Sequence, residues 1–206
     1  MTAQSLPLAT LRLQRLKGAA LLIGGLFWIT DFVFIIANGL LTGSLPVDDN
    51  PQLPLYLRLG LRLFILSIPV LIFGLGALAA LLRTRSRKLT IAALPFMIVA
   101  LALSSINLVT LSGLAGTPMF NDTFMGLSIF ATAIATGLLG AAALRTRALP
   151  RIDAILLLLI GVTTIPILFG TPLPFGPDWA TDHLAFLTSG LCYVIAGARA
   201  MAKRAA

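Results

Sequence analysis

Charge is scarce in this chain. Of its 206 residues only 11% are Asp, Glu, Lys or Arg while 58% are hydrophobic, and the mean hydropathy is +1.01. That leaves too little polar surface to clothe a soluble globule of this size, and points to a polytopic membrane protein. Cys192 is the one cysteine, so no intramolecular disulfide and no Cys-rich metal site can form. His183 is the one histidine, which excludes a bis-histidine haem and a multi-histidine zinc site. H-E-x-x-H, G-x-S-x-G, the P-loop and Cys-x-x-Cys are all missing. Asp31 is the only carboxylate expected deep in the membrane, whereas intramembrane hydrolysis needs paired groups at matching depth. Neither an enzyme nor a metal or cofactor is expected.

The positive charge that is present is ordered. Thirteen of the fifteen Lys and Arg residues fall at positions 12–17, 83–88, 145–151 and 199–204, one stretch after every second long apolar run. Only Arg58 and Arg62 lie toward the other side, with Asp48, Asp49, Asp122, Asp178 and Asp182. Short connectors on the cytoplasmic side carry the excess of cations, so this bias places both termini inside. The net charge of +8 is thereby explained by topology, and nucleic acid is not an expected partner, because its binders gather cations on one solvated face. Anionic lipid at the cytoplasmic face is.

Six apolar segments are long enough to cross a hydrocarbon core about 30 Å thick, and in lipid only helices satisfy their own backbone. They lie near 18–41, 56–82, 89–112, 122–144, 152–170 and 181–202, in a single all-α transmembrane domain covering 1–206. Residues 1–17 form a cytoplasmic or interfacial segment. The first apolar run is too long for a signal-peptide core and is expected to stay as a span. Pro69, Pro95 and Pro166 interrupt spans and should kink them. Gly126, Ala133, Gly137 and Gly140 on the fourth span, and Gly190 and Gly197 on the sixth, offer small-residue faces for close helix contact. Ala-Ala-Leu-Leu-Arg-Thr-Arg at 79–85 nearly repeats as Ala-Ala-Ala-Leu-Arg-Thr-Arg at 141–147, with a looser copy at 197–204. Either three parallel two-helix hairpins recur, or inner helix ends built from Ala, Leu and Arg simply look alike.

Asp31 is the outlier, since an aspartate near mid-span costs about 2.5–3.5 kcal/mol to insert and should face the bundle with a partner. Arg62 on the second span lies within roughly 6–9 Å of its depth and is the candidate partner. Asn38, seven residues on, would extend the polar stripe outward. Ser104, Ser105 and Asn107 on the third span, Thr163 and Thr164 on the fifth, and His183, Thr188 and Ser189 on the sixth occupy similar depth. One reading is an outward-facing polar pocket that binds or passes a small solute or a proton around Asp31 and Arg62. The other is a buried structural ion pair, with hydroxyls bonded to their own helix carbonyls. A third reading sets the pocket aside and makes the chain an accessory subunit whose small-residue faces meet another membrane protein or a second copy of itself.

The stretch Leu144-Arg-Thr-Arg-Ala-Leu-Pro-Arg151, running directly into Ile152-Asp-Ala-Ile-Leu-Leu-Leu-Leu-Ile160, resembles the uncharacterised small six-helix integral membrane proteins of bacteria. That resemblance implies the fold and no activity, and the expected location is a bacterial cytoplasmic membrane. The topology is directly testable. Reporters fused to the two chain ends should both register the cytoplasm, and ends on opposite faces would remove the count of six crossings.

Overall fold

The computed structural model describes residues 8–42, 54–112, 122–168 and 178–202, and among them there are six helices and no strand. These are α1 (Leu8–Thr42), α2 (Leu55–Leu82), α3 (Arg87–Leu111), α4 (Asp122–Thr146), α5 (Arg151–Leu168) and α6 (Asp178–Ala202). Four stretches, Arg15–Thr42, Leu55–Leu82, Arg87–Leu111 and Thr123–Thr146, are long and apolar enough to cross a membrane. At 1.5 Å per residue the 28 residues of α2 reach about 42 Å, beyond the hydrocarbon core. In α6 the apolar part, Phe186–Ala202, is shorter. The segment before Gly18 proves continuous with the first span, because α1 already begins at Leu8.

Each helix packs on the next, α6 returns to α1, and α2 touches α4. Helices α1, α2, α4, α5 and α6 thus close a ring, and α3 lies against α2 and α4 outside it. The sequence of α3 shows why it can sit there. Its buried residues Thr90, Ala93, Met97, Ala100, Ser104 and Asn107 recur every three or four positions, a narrow seam of mostly small side chains. Large residues such as Ile91, Ile98, Val99 and Val109 are exposed. Size rather than polarity separates the two faces, as expected where the surroundings are acyl chains.

Ring closure between α1 and α6 rests on two glycine pairs in antiparallel register. A methyl group on Gly25 would stand 2.6 Å from the carbonyl oxygen of Gly190, and one on Gly197 would stand 2.5 Å from that of Gly18. Backbone touches backbone at both places, so no larger residue fits without separating the helices. On the α4–α5 seam Gly137 and Gly161 meet in the same way, and Gly140 lies against the backbone of Leu157 and Leu158. Gly126, by contrast, has open space around it and takes no part. The small faces expected on the fourth and sixth spans are therefore occupied inside the bundle.

The two basic turns are built differently despite their similar sequences. Helix α2 stops at Leu82, and the amides of Arg85 and Ser86 bond back to its carbonyl. Helix α4 runs on to Thr146 and ends in a Schellman turn, with Ala148 N–H donating to Ala143 O (3.2 Å) and Arg147 N–H to Leu144 O (3.4 Å). This turn needs a left-handed residue at Arg147, where φ is 52°. Glycine normally fills that position, and a residue with a Cβ costs about 1–2 kcal/mol there. Gly190→Leu should destabilise the bundle by about 1–3 kcal/mol or more in detergent unfolding, whereas Gly126→Ala should stay within about 0.5 kcal/mol of the parent.

Candidate functional site

On α1, Trp28, Asp31 and Asn38 lie on the side facing α2. Trp28 Nε1 donates to Ser67 Oγ (2.6 Å), and Ser67 donates onward to the Phe64 carbonyl. Asp31 is buried beside Gly60, where an added methyl group would stand 3.3 Å from its Oδ1. The absence of a side chain at Gly60 is what makes room for the carboxylate. Asn38 accepts a bond from Tyr56 Oη (3.2 Å) and donates to Thr42 Oγ1 (3.3 Å). Asp31 and Asn38 therefore do share one stripe, closed by Tyr56 at the end away from the basic stretches.

Arg62 does not join it. The residue is exposed, whereas Arg199 pairs with the buried Asp153. Depth alone suggested the partnership with Asp31, but azimuth decides it. Tyr56, Gly60, Phe64, Ser67, Leu71 and Gly74 are among the α2 residues that meet α1, and a position two residues past Gly60 points about 200° around the helix. Ser104 and Asn107 are buried, and Ser105 is exposed. The two buried residues face α2 and α4, because α3 does not pack on α1, so α2 stands between them and Asp31. The side chain of His183 lies outside the described residues. Thr110, Thr163 and Thr188 donate to carbonyls of their own helices, as hydroxyls do in spans. The expected site residues thus fall into two separate seams.

The middle of the ring is filled. Trp28 packs edge-on to Phe186 (5.5 Å between ring centroids) and Tyr193 (5.9 Å), with Phe64 tilted beside it. Ser128, Thr132 and Thr136 form a buried ladder along α4, each donating to a carbonyl one turn earlier. Thr136 Oγ1 spends its proton on Thr132 O, so the 2.7 Å contact with Tyr193 Oη has the tyrosine as donor. Thr164 and Ser189 pair at 2.9 Å across α5 and α6. Neither the i, i+4, i+8 hydroxyl ladder nor Tyr193 figured among the expected residues, although the spacing of the ladder is legible in sequence.

A second charged site lies at the end of the bundle where the basic stretches gather. Lys17 of α1 is 5% exposed and Asp153 of α5 is 4% exposed. Both line one cavity of about 60 Å³, walled by Leu21, Leu78, Leu157 and Ala196. Arg199 of α6, whose side chain is 44% exposed, donates Nε–H to Asp153 Oδ1 at 2.6 Å. Asp153 sits in the first turn of α5, where the positive end of the helix dipole also favours its charge. One water needs at least about 10–15 Å³ of such space, so the cavity holds a few waters or a solute of a few atoms. Sequence reasoning missed this site by treating Lys17 and Arg199 as topological cations. The available signal was Asp153 itself, the one acid set two residues from a basic stretch.

No protein-family model matches the chain, and comparison with curated proteins and with solved structures gives no match either. Among the described residues no group of three or more His, Cys, Asp or Glu side chains is arranged to hold a metal ion. Removing one partner of the Asp153–Arg199 pair leaves a buried acceptor short of a donor. Arg199→Ala should therefore cost about 1–3 kcal/mol in detergent unfolding, and Arg199→Lys should recover part of that loss.

Proposed function

We propose that this chain is a non-catalytic, six-span integral membrane protein of a bacterial cytoplasmic membrane, with both termini inside, that binds an ion-sized polar solute or a proton in the cavity between Lys17 and Asp153. The class of ligand is the one expected for the Asp31 stripe, and the cavity at the basic end is the better place for it. The observation that carries this reading is the burial of two opposite charges on the wall of one small, otherwise apolar cavity. Charged groups in such surroundings are expensive unless paired or hydrated, and they mark ion and proton sites in membrane proteins. The size favours a solute of a few atoms, because drug-sized ligands need about 300–1,000 Å³.

Binding is favoured over passage. Trp28, Leu71, Leu75 and Tyr193, all fully buried, plug the space between this cavity and the Asp31 stripe. The accessory-subunit reading is the less favoured one, because Gly137, Gly140, Gly190 and Gly197 pack inside the bundle and leave Gly126 as the open position on those faces.

The test is thermal unfolding of purified protein in mild detergent against chloride, phosphate, sodium, potassium and ammonium, and across pH for the proton. A ligand at 100 times its Kd should stabilise the parent by about 2.7 kcal/mol. Lys17→Met and Asp153→Asn should abolish that gain, and Asp31→Asn should keep it. Identical responses from the parent and the Lys17→Met/Asp153→Asn double variant under every condition would remove the cavity as a binding site.

A further inference from the structure

The link between α4 and α5 has two sides. Its inner side, through Ala148 and Leu149, walls the Lys17–Asp153 cavity. Its outer side forms a separate groove of about 500 Å³ lined by Leu144, Arg147, Leu149 and Arg151. We propose that this outer groove holds the phosphate of an anionic lipid headgroup, clamped between Arg147 and Arg151. The inference rests on the membrane-spanning reading above and adds a site and a ligand chemistry to it.

Four observations converge on the groove. Both arginines are exposed, and no acidic side chain is among its four lining residues, so the charge on its walls is positive. Arg147 occupies the left-handed position of the Schellman turn, where glycine would be unstrained, and backbone outliers of this kind gather at functional sites. Arg151 is the first residue of α5 and lines the same groove as Arg147 from the other side of the turn. Lastly, Leu144 and Ile152 beside the groove are exposed apolar residues facing where acyl chains run. A ligand that fits must carry a phosphate at the helix ends and hydrocarbon along the helices, which is the build of a phospholipid. A free phosphate would use the arginines and leave the leucines unused. Guanidinium forks suit phosphate oxygens in pairs, and two arginines on either side of one turn can supply them.

Native mass spectrometry of the protein released from nanodiscs of mixed phosphatidylglycerol and phosphatidylcholine reads the site directly. The parent should retain phosphatidylglycerol selectively. Each arginine near an anionic surface contributes about fivefold, so Arg147→Gln/Arg151→Gln should weaken retention by about 25-fold. Arg83→Gln/Arg85→Gln, which removes the same charge from the other basic turn and leaves the groove intact, should weaken retention clearly less than the groove variant does. Equal losses in the two double variants would mean diffuse attraction and overturn the site. Displacement of the lipid by millimolar inorganic phosphate would overturn the lipid as its ligand. Arg147→Gly keeps the turn and relieves its strain, so it should unfold later than the parent yet retain about fivefold less lipid; retention equal to the parent would overturn the clamp. Release of the parent from membranes by alkaline carbonate without detergent would instead refute the membrane reading, whatever the lipid counts.

Discussion

With lipid outside, packing leucine on leucine gains little over leaving each in acyl chains, so a bundle of this composition must be held by contacts that lipid cannot copy. Backbone against backbone is such a contact. Gly18 with Gly197 and Gly25 with Gly190 bring α1 and α6 together and close the ring of five helices. Everything inside depends on that closure, because Trp28 and Tyr193 meet across the same interface. If the glycines were larger, the two helices would part, and the aromatic centre would lose one wall.

Polar groups then set register where apolar packing is permissive. Among the described residues no buried side-chain nitrogen or oxygen lacks a hydrogen-bond partner, which the low dielectric of the interior demands. The partners are distributed across the seams. Trp28–Ser67 joins α1 to α2, Thr136–Tyr193 joins α4 to α6, and Thr164–Ser189 and Asp153–Arg199 join α5 to α6. A helix that slid by one residue would turn by about 100° and strand one of these groups in hydrocarbon. Apolar side chains alone would not oppose such a slip.

The basic end combines both devices. Glycine contacts near the chain ends bring Gly18 and Gly197 together, which sets Lys17 and Arg199 beside the first turn of α5 and encloses the charged cavity. The Schellman turn holds Leu149 between that cavity and the outer groove. One short connector thus separates a cavity lined by charges of both signs from a groove whose charged walls are two arginines, and this difference underlies the two ligand classes proposed for them.

The sequence by itself determined the all-helical class and the approximate extent of the helices, because hydropathy and chain length are quantities read along one dimension. It also marked Asp31 and Asn38 as members of one stripe, since residues seven apart on a helix share a face whatever lies opposite. The facing partner was decided only by the tertiary structure. In a soluble protein the apolar face of a helix announces the core, but here the lipid-facing and core-facing sides are both apolar, and the azimuth of each helix is hidden. That is why Arg62, at a suitable depth, turns out to point away from Asp31. Lys17, Asp153 and Arg199 illustrate the same limit at longer range. They come from three helices, and their meeting follows from how closely glycines let backbones approach, a property of pairs of helices that no single segment carries.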